Sequence, residues 1–363
     1  MVNRDFIEVI SYILIIIFIY YQKQKIRKRN KNKKEKSKKK LIDLHLHLDG
    51  AITLDIAKKL AKLQNISLPS KNDSELLDLL SLPDNCDTLS DFLKSFDLAQ
   101  SLLQTPEAIA EAVRLVSDNI LSQGVIYAEI RFSPQYHTNK GMTQEEVVKA
   151  ALEGLKKTKL KANLILCFIR GENNDEENKE TLELAKKYLV EDGGVVALDL
   201  AGPEELYSTS KFADLFSKVK KYNIPFTIHA GEADGPKSVK TAIKYGAKRI
   251  GHGVRINEDP EVMALVKKKN ITLEMCPTSN KMTHAVENMS KYPLIDYLNE
   301  GIKVTLNTDD MAIERITLLD EYKYIEKNFG LTPEQEKILL LNAIDAAFTT
   351  NEVKEYLKKE INL

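Results

Sequence analysis

The sequence predicts an α/β fold in which eight short strands alternate with helices, a (β/α)8 TIM barrel, and three observations predict it. Short β-rich apolar runs and longer helix-patterned stretches take turns from Leu41 onward. Eight such runs fall within about 320 residues, inside the usual barrel range of ~200 to over 400. Polar residues gather at the ends of the runs, which is where the working face of such a barrel lies. A doubly wound open sheet is the alternative, but it usually needs fewer strands, and no G-x-G-x-x-G follows the first run.

The N-terminal segment, residues 1–21, contains a strongly apolar stretch over residues 6–21, FIEVISYILIIIFIYY. Its uncharged part, Val9 to Tyr21, is 13 residues, shorter than the ~20 a spanning helix needs, and becomes a marginal span when Phe6 to Glu8 are included. Residues 22–40 follow as a linker with twelve Lys/Arg between Lys23 and Lys40, too polar to pack. A cleaved signal peptide carries its positive charge before the apolar run, and here it comes after. The positive-inside rule then predicts an anchor at the inner face of the cell membrane, with the body cytoplasmic. The competing reading is that these forty residues are a dispensable extension of a cytoplasmic body.

In the body, residues 41–363, the expected strands are Leu41–Leu46, Val125–Arg131, Asn163–Arg170, Val195–Leu200, Phe226–Ala230, Arg249–His252, Ile271–Met275 and Lys303–Asn307. Helix patterns lie between them. Pro106–Gln123 opens with Thr105 as N-cap and proline at its first position. Thr143 and Glu146 form the ends of a capping box. Thr181–Leu189, Lys211–Tyr222, Ser238–Tyr245 and Glu261–Lys269 complete the helices, and the long stretch from Thr53 to Gln123 adds extra helices over the barrel mouth.

Charge narrows the function. The chain is neutral overall, yet residues 41–363 hold 40 of the 53 Lys/Arg and 50 of the 53 Asp/Glu. The body is acidic, so no nucleic-acid partner is expected, and any membrane contact falls to residues 6–40. Cys86, Cys167 and Cys276 are far apart and form neither a C-x-x-C pair nor a disulfide framework.

The chemistry is carried by Ile42 to Gly50, IDLHLHLDG. Residues two apart share a face of a strand, so His45 and His47 project together just before the turn at Gly50, as half of a metal site. Further polar groups end other strands: Asp199 to Glu204, His229 to Glu232, Gly251 to Gly253, and Asn307 to Asp310. Four of the six histidines sit at expected strand ends, which scattered surface histidines would not do. His137 and His284 fall in loop-like sequence and are expected at the surface. Phe92 and Phe96 stand i,i+4 on a helix, a spacing more common in cores than in ligand contacts.

From Leu41 on, the chain resembles the adenosine deaminase family. The resemblance rests on IDLHLHLDG (42–50), EIRFSPQ (129–135), LDLAGPE (198–204), IHAGE (228–232), IGHGVR (250–255), MCPTSN (275–280) and TLNTDD (305–310), in family order. It does not reach residues 1–40. It implies one zinc ion per chain held by His45, His47, His229 and Asp309, and hydrolytic deamination of adenosine, with 2′-deoxyadenosine, to inosine and ammonia. His252 is then implied to orient and deprotonate the attacking water, and Glu232 to protonate the purine N1. Asp310 is implied at N7, the Gly202 N–H at N3, and Asp49 at the ribose 5′-hydroxyl. His47 is implied to touch substrate as well as metal, and Phe92 with Phe96 to form an apolar lid. Asp49 stands where related adenine deaminases tend to carry Glu, which favours a nucleoside. Met311 departs from the proline common in the family and bears on the rigidity of its loop. The rivals are deamination of adenine or of a modified adenosine by the same machinery, and an inactive, membrane-tethered binding module.

Overall fold

Eight parallel strands carry the fold, and a computed structural model describes residues 39–82 and 95–362 of the chain. The strands are β1 Leu41–His47, β2 Val125–Phe132, β3 Lys161–Ile169, β4 Val195–Ala201, β5 His229–Ala230, β6 Arg249–His252, β7 Thr272–Met275 and β8 Lys303–Leu306. They form two four-stranded parallel sheets in the orders β1-β2-β3-β4 and β5-β6-β7-β8. Parallel bridges join the sheets at both seams, Leu198 to Phe226 between β4 and β5, and Leu46 to Asp309 between β1 and the segment after β8. The fold is thus α/β with parallel sheets.

Buried runs such as VIYAEIRF in β2 are what strands covered on both faces require. Leu41, Leu46, Ala128, Ile130, Leu164, Leu166 and Leu198 join one large apolar cluster with residues of the surrounding helices. The helices are α1 Leu54–Gln64, α2 Asp73–Leu80, α3 Asp97–Leu102, α4 Pro106–Gln123, α5 Gln144–Leu155, α6 Asp175–Tyr188, α7 Ala213–Lys221, α8 Pro236–Tyr245, α9 Pro260–Lys268, α10 Pro277–Met282, α11 Leu294–Asn299, α12 Leu318–Phe329, α13 Pro333–Ala346 and α14 Asn351–Glu360. The first three lie between β1 and α4, as the extra helices expected there. Thr105 caps α4 by accepting from the Ala108 N–H, and Thr143 with Glu146 forms the full capping box of α5.

Three expectations change. The fifth strand is shorter than Phe226–Ala230: the ladder holds only His229 and Ala230, because the backbone partner changes along the run, from Leu198 of β4, which bonds Pro225 and Thr227, to Gly251 of β6, which bonds Ile228. α6 starts at Asp175 rather than Thr181. Its first turn is acidic, which suits a helix N-terminus but leaves no apolar periodicity to read. His137 is fully buried instead of exposed. A short 3-10 turn from Pro134 to His137 folds it inward, where its ring lies 6.1 Å from that of Phe132. His284 is exposed as expected. Among the described residues no helix is long and apolar enough to cross a membrane. The anchor expected at residues 6–21 and nearly all of the linker at 22–40 lie outside the described residues, as does Phe92.

Candidate metal centre and active site

Strand alternation brings His45 and His47 to one face of β1, parallel pairing sets β5 and β6 beside each other with His229 opposite Gly251, and the chain leaving β8 returns to β1 at Asp309. The Asp309 N–H donates to the His45 carbonyl at 2.8 Å, and the His47 N–H donates to the Asp309 carbonyl at 2.9 Å. Asp309 and His252 both have positive φ, 61° and 62°, in the left-handed region that side chains rarely adopt. Such strain collects at functional sites.

These constraints converge on one point. His45 Nε2 lies 3.1 Å from His229 Nε2, and His47 Nε2 lies 3.3 Å from it. Asp309 Oδ1 is 3.2 Å from His45 Nε2 and 3.4 Å from His47 Nε2. Four donors around a tetrahedral zinc with bonds of ~2.0–2.2 Å stand about 3.3 Å apart, so the separations fit that ion. The ring tautomers agree. His45 Nδ1 is 2.8 Å from Glu274 Oε2 and His229 Nδ1 is 2.9 Å from Asp199 Oδ2, which places the ring protons on the carboxylates' side. The two Nε2 atoms then face each other as bare lone pairs, an arrangement that calls for a cation between them.

Around this centre, His252 Nε2 stands 3.6 Å from Asp309 Oδ2 and 3.5 Å from Glu232 Oε2. Its ring is held from behind by Asn280, whose Nδ2 lies 3.1 Å from His252 Nδ1 and whose Oδ1 accepts from the Tyr292 hydroxyl at 2.9 Å. Burial, against the pull of Glu232 and Asp309, lowers the His252 pKa. Glu232 Oε1 accepts from the Thr283 hydroxyl at 2.8 Å. Asp310 is buried with Oδ1 unpartnered, and burial first, then the charges of Asp309, Asp49 and Glu232, pushes its carboxyl well above the usual range.

The motifs of residues 42–310 and this geometry meet in the comparisons. The sequence model described as adenosine deaminase matches residues 40–363.

The chain belongs to the adenosine deaminase family.

It is similar to an adenosine deaminase of Haemophilus ducreyi, 46% identical over 321 residues, covering 87% of this chain and 93% of that protein. An adenosine deaminase of Clostridium botulinum strain Okra is 40% identical over 321 residues, covering 87% and 95%. Among solved structures it resembles an adenine deaminase of Arthrobacter aurescens, with 26% identity, a TM-score of 0.79, and coverage of 89% and 98%. It also resembles an N6-methyl-AMP deaminase of Arabidopsis thaliana, with 27% identity, a TM-score of 0.76, and coverage of 90% and 96%.

The His45, His47, His229 and Asp309 group agrees with a metal site of the adenosine deaminase family. Asp49, in the 3-10 turn after β1, has its Oδ2 held by Gln100 Nε2 of α3 at 3.2 Å. Gly50 lets Asp310 pack closely, since a Cβ there would overlap the Asp310 carboxylate. Gly202 follows β4 with φ 101° and is exposed. Phe96 is half-buried at the start of α3. Met311 is buried in the core, and its loop is held by hydrogen bonds such as Ala312 N–H to the Gly50 carbonyl at 2.8 Å.

Several residues that shape this site carried no role in the sequence reading, Arg131, Glu274, Asn280 and Gln100, and Asp199 and Glu204 entered it only as polar groups at the end of a strand. Arg131 donates to Asp199 at 2.7 Å and to Glu274 at 2.8 Å, so one guanidinium ties together the carboxylates behind His45 and His229. A signal existed. Arg131 and Glu274 are charges inside strands that otherwise read as buried, and a buried charge needs a partner.

Proposed function

We propose that this protein is a zinc-dependent adenosine deaminase that hydrolyses adenosine, and 2′-deoxyadenosine, to inosine and ammonia. We further propose that residues 41–363 form a closed (β/α)8 barrel with the site at the C-terminal ends of its strands. The observation that carries the reading is the convergence of His45, His47, His229 and Asp309 beside His252 and Glu232 in a chain of this family. Zinc held there lowers the pKa of water and so makes a nucleophile available near neutral pH. His252 faces the same space through Nε2 and orients the attacking water, whose proton passes to the His252 and Asp309 pair. Glu232, with Oε1 occupied by Thr283, presents Oε2 and protonates N1, which makes C6 electrophilic. Asp310 bonds the N7 edge and the Gly202 N–H bonds N3. Phe96, with Phe92, excludes water over the purine.

Asp49 supports a nucleoside substrate. Its carboxylate is held by Gln100, which supports a role for it in accepting from the ribose 5′-hydroxyl, and its charge would repel a 5′-phosphate. A site built around a hydroxyl rejects a ligand lacking it by ~10⁴-fold or more. The second reading, deamination of adenine or a modified adenosine, is favoured by the likeness to the adenine and N6-methyl-AMP deaminases. The test is turnover of adenosine, adenine and AMP by the purified protein, with its metal content measured. About one zinc per chain and adenosine as the preferred substrate is the expected result, with selectivity over adenine reduced in Asp49→Glu. Preference for adenine or AMP would overturn the substrate, and a metal-free, inactive protein would overturn the enzyme.

For location, the apolar run at 6–21 followed by the Lys/Arg run supports attachment to the inner face of the cell membrane. Cell fractionation checks this: full-length chain recovered wholly outside the membrane fraction would refute it.

A further inference from the structure

Glu232 sits on a loop between β5 and α8 that has no regular hydrogen-bond ladder of its own. Its four consecutive N–H groups are gathered by one side chain. Glu204 Oε1 accepts from Gly231 at 2.8 Å, and Oε2 accepts from Glu232 at 3.1 Å, Ala233 at 2.8 Å and Asp234 at 3.1 Å. Successive N–H groups turned to one side make an anion-binding concavity, and here the anion belongs to the chain itself. Gly231 and Gly235, with φ of 71° and 75°, bracket the turn. A Cβ at Gly231 would stand 2.5 Å from Val239 Cγ2, so the turn packs closely against α8 there.

The opposite side of the loop is held as well. Arg255 Nη1 donates to the Ala233 carbonyl at 2.9 Å and faces the Glu232 carbonyl at 3.5 Å. Thr283 takes Glu232 Oε1. The backbone of Glu232 is therefore clamped from both faces, one carboxyl oxygen is occupied, and Oε2 is left pointing toward His252. Glu204 is 4% exposed, and it reaches the loop from the end of β4, just beyond Gly202. Burial alone would raise its pKa, but the Ser238 hydroxyl, the Arg170 guanidinium and the loop N–H groups outweigh it and hold the carboxyl below the usual range.

We propose that Glu204 is a positioning residue for the reaction: by gathering the four N–H donors of residues 231–234, it sets where the Glu232 carboxyl meets the purine. The inference rests on the adenosine deaminase reading, in which Glu232 acts on N1. It assigns Glu204 a mechanistic task without contact to substrate or metal. Because the loop has no ladder to fall back on, replacing one acceptor oxygen by an amide NH₂ sets donor against donor and shifts Glu232. A displacement of about 1 Å at a reacting group costs about 100-fold in rate.

The test is a double-mutant cycle in the full-length, zinc-loaded protein, with Glu204→Gln, Glu232→Gln and the pair. Glu204→Gln is expected to lower kcat for adenosine about 100-fold with KM little changed and zinc content retained. In the Glu232→Gln background the same change should cost nothing further, because the group it positions is already gone. Losses that multiply in the double variant, a loss of zinc that tracks the loss of rate, or a fully active Glu204→Gln would each overturn the proposal. Should Glu204→Gln not fold, Glu204→Asp, which keeps the charge but pulls the acceptor back by one methylene, runs in the same cycle under the same criteria. Failure of the underlying reading looks different: wild type would not deaminate adenosine, or Glu232→Gln would match wild type.

Discussion

Glu321 on α12 is buried, with Oε1 accepting from the Thr278 N–H at 2.9 Å and Oε2 without a partner. Burial raises its pKa to about 8, against the smaller lowering by Thr278. A carboxyl whose folded pKa is raised contributes full stability below its unfolded value, 4.5, where both states hold the proton. Stability then falls as pH rises towards about 8, by at most ~1.4 kcal/mol per pH unit, because the native state retains a proton that the unfolded chain releases. Glu321→Gln keeps the oxygen that Thr278 uses and removes the titration. Thermal melts should therefore show the variant gaining over wild type between pH 5 and pH 8, and parallel curves at the two pH values would refute the assignment. The sequence placed His45, His47, His229, Glu232, His252 and Asp309 at strand ends, and those residues do meet. It could not tell that His137 is buried or that Glu321 lacks a second partner, because one side chain type serves core and surface alike.

At the scale of elements, the metal centre depends on how closely β1, β5 and β6 approach. Gly251 in β6 permits that approach: a Cβ there would lie 3.0 Å from His45 Cε1 and 3.1 Å from His229 Cα. Gly251→Ala is expected to spread the two histidines and weaken zinc binding roughly 10-fold or more, the scale seen when ligand-orienting groups are altered. Competition with a chromogenic chelator measures this, and unchanged affinity would show that the strands yield without cost. Caps and periodicity made most elements legible; α4 begins and ends where the proline, the N-cap and Gly124 put it. The short β5 and the early start of α6 were not legible, since one is set by where the backbone changes partner from β4 to β6 and the other opens on charges without apolar spacing.

Across the whole molecule, one buried ionic network lies beneath the site. Arg131 pairs with Asp199 and Glu274, and Arg249 pairs with Glu274 and Glu129, each at 2.6–2.8 Å. Burial alone would neutralise Asp199 and Glu274, but positively charged neighbours, Arg131 among them, hold both carboxyls well below the usual range. Arg131→Gln leaves two buried carboxylates short of a counter-charge and should cost about 3–5 kcal/mol of stability. Zinc affinity should fall 10- to 100-fold with it, because those carboxylates orient His45 and His229. Denaturant unfolding and metal titration measure the two losses, and a variant as stable as wild type would argue that the pairs are dispensable. This network joins β2, β4, β6 and β7, and its Arg131–Glu274 pair spans 143 residues of chain.

By itself the sequence determined the order of strands and helices, the candidate metal group and the family, because local periodicity, capping and short motifs are written in neighbouring residues. Tertiary structure alone decided which carboxylate stands behind which histidine, that Glu204 rather than solvent fills the loop carrying Glu232, and which acids are left without partners. Those are contacts between distant segments in a low-dielectric interior, where an energy of several kcal/mol turns on separations of about 1 Å that no local pattern encodes.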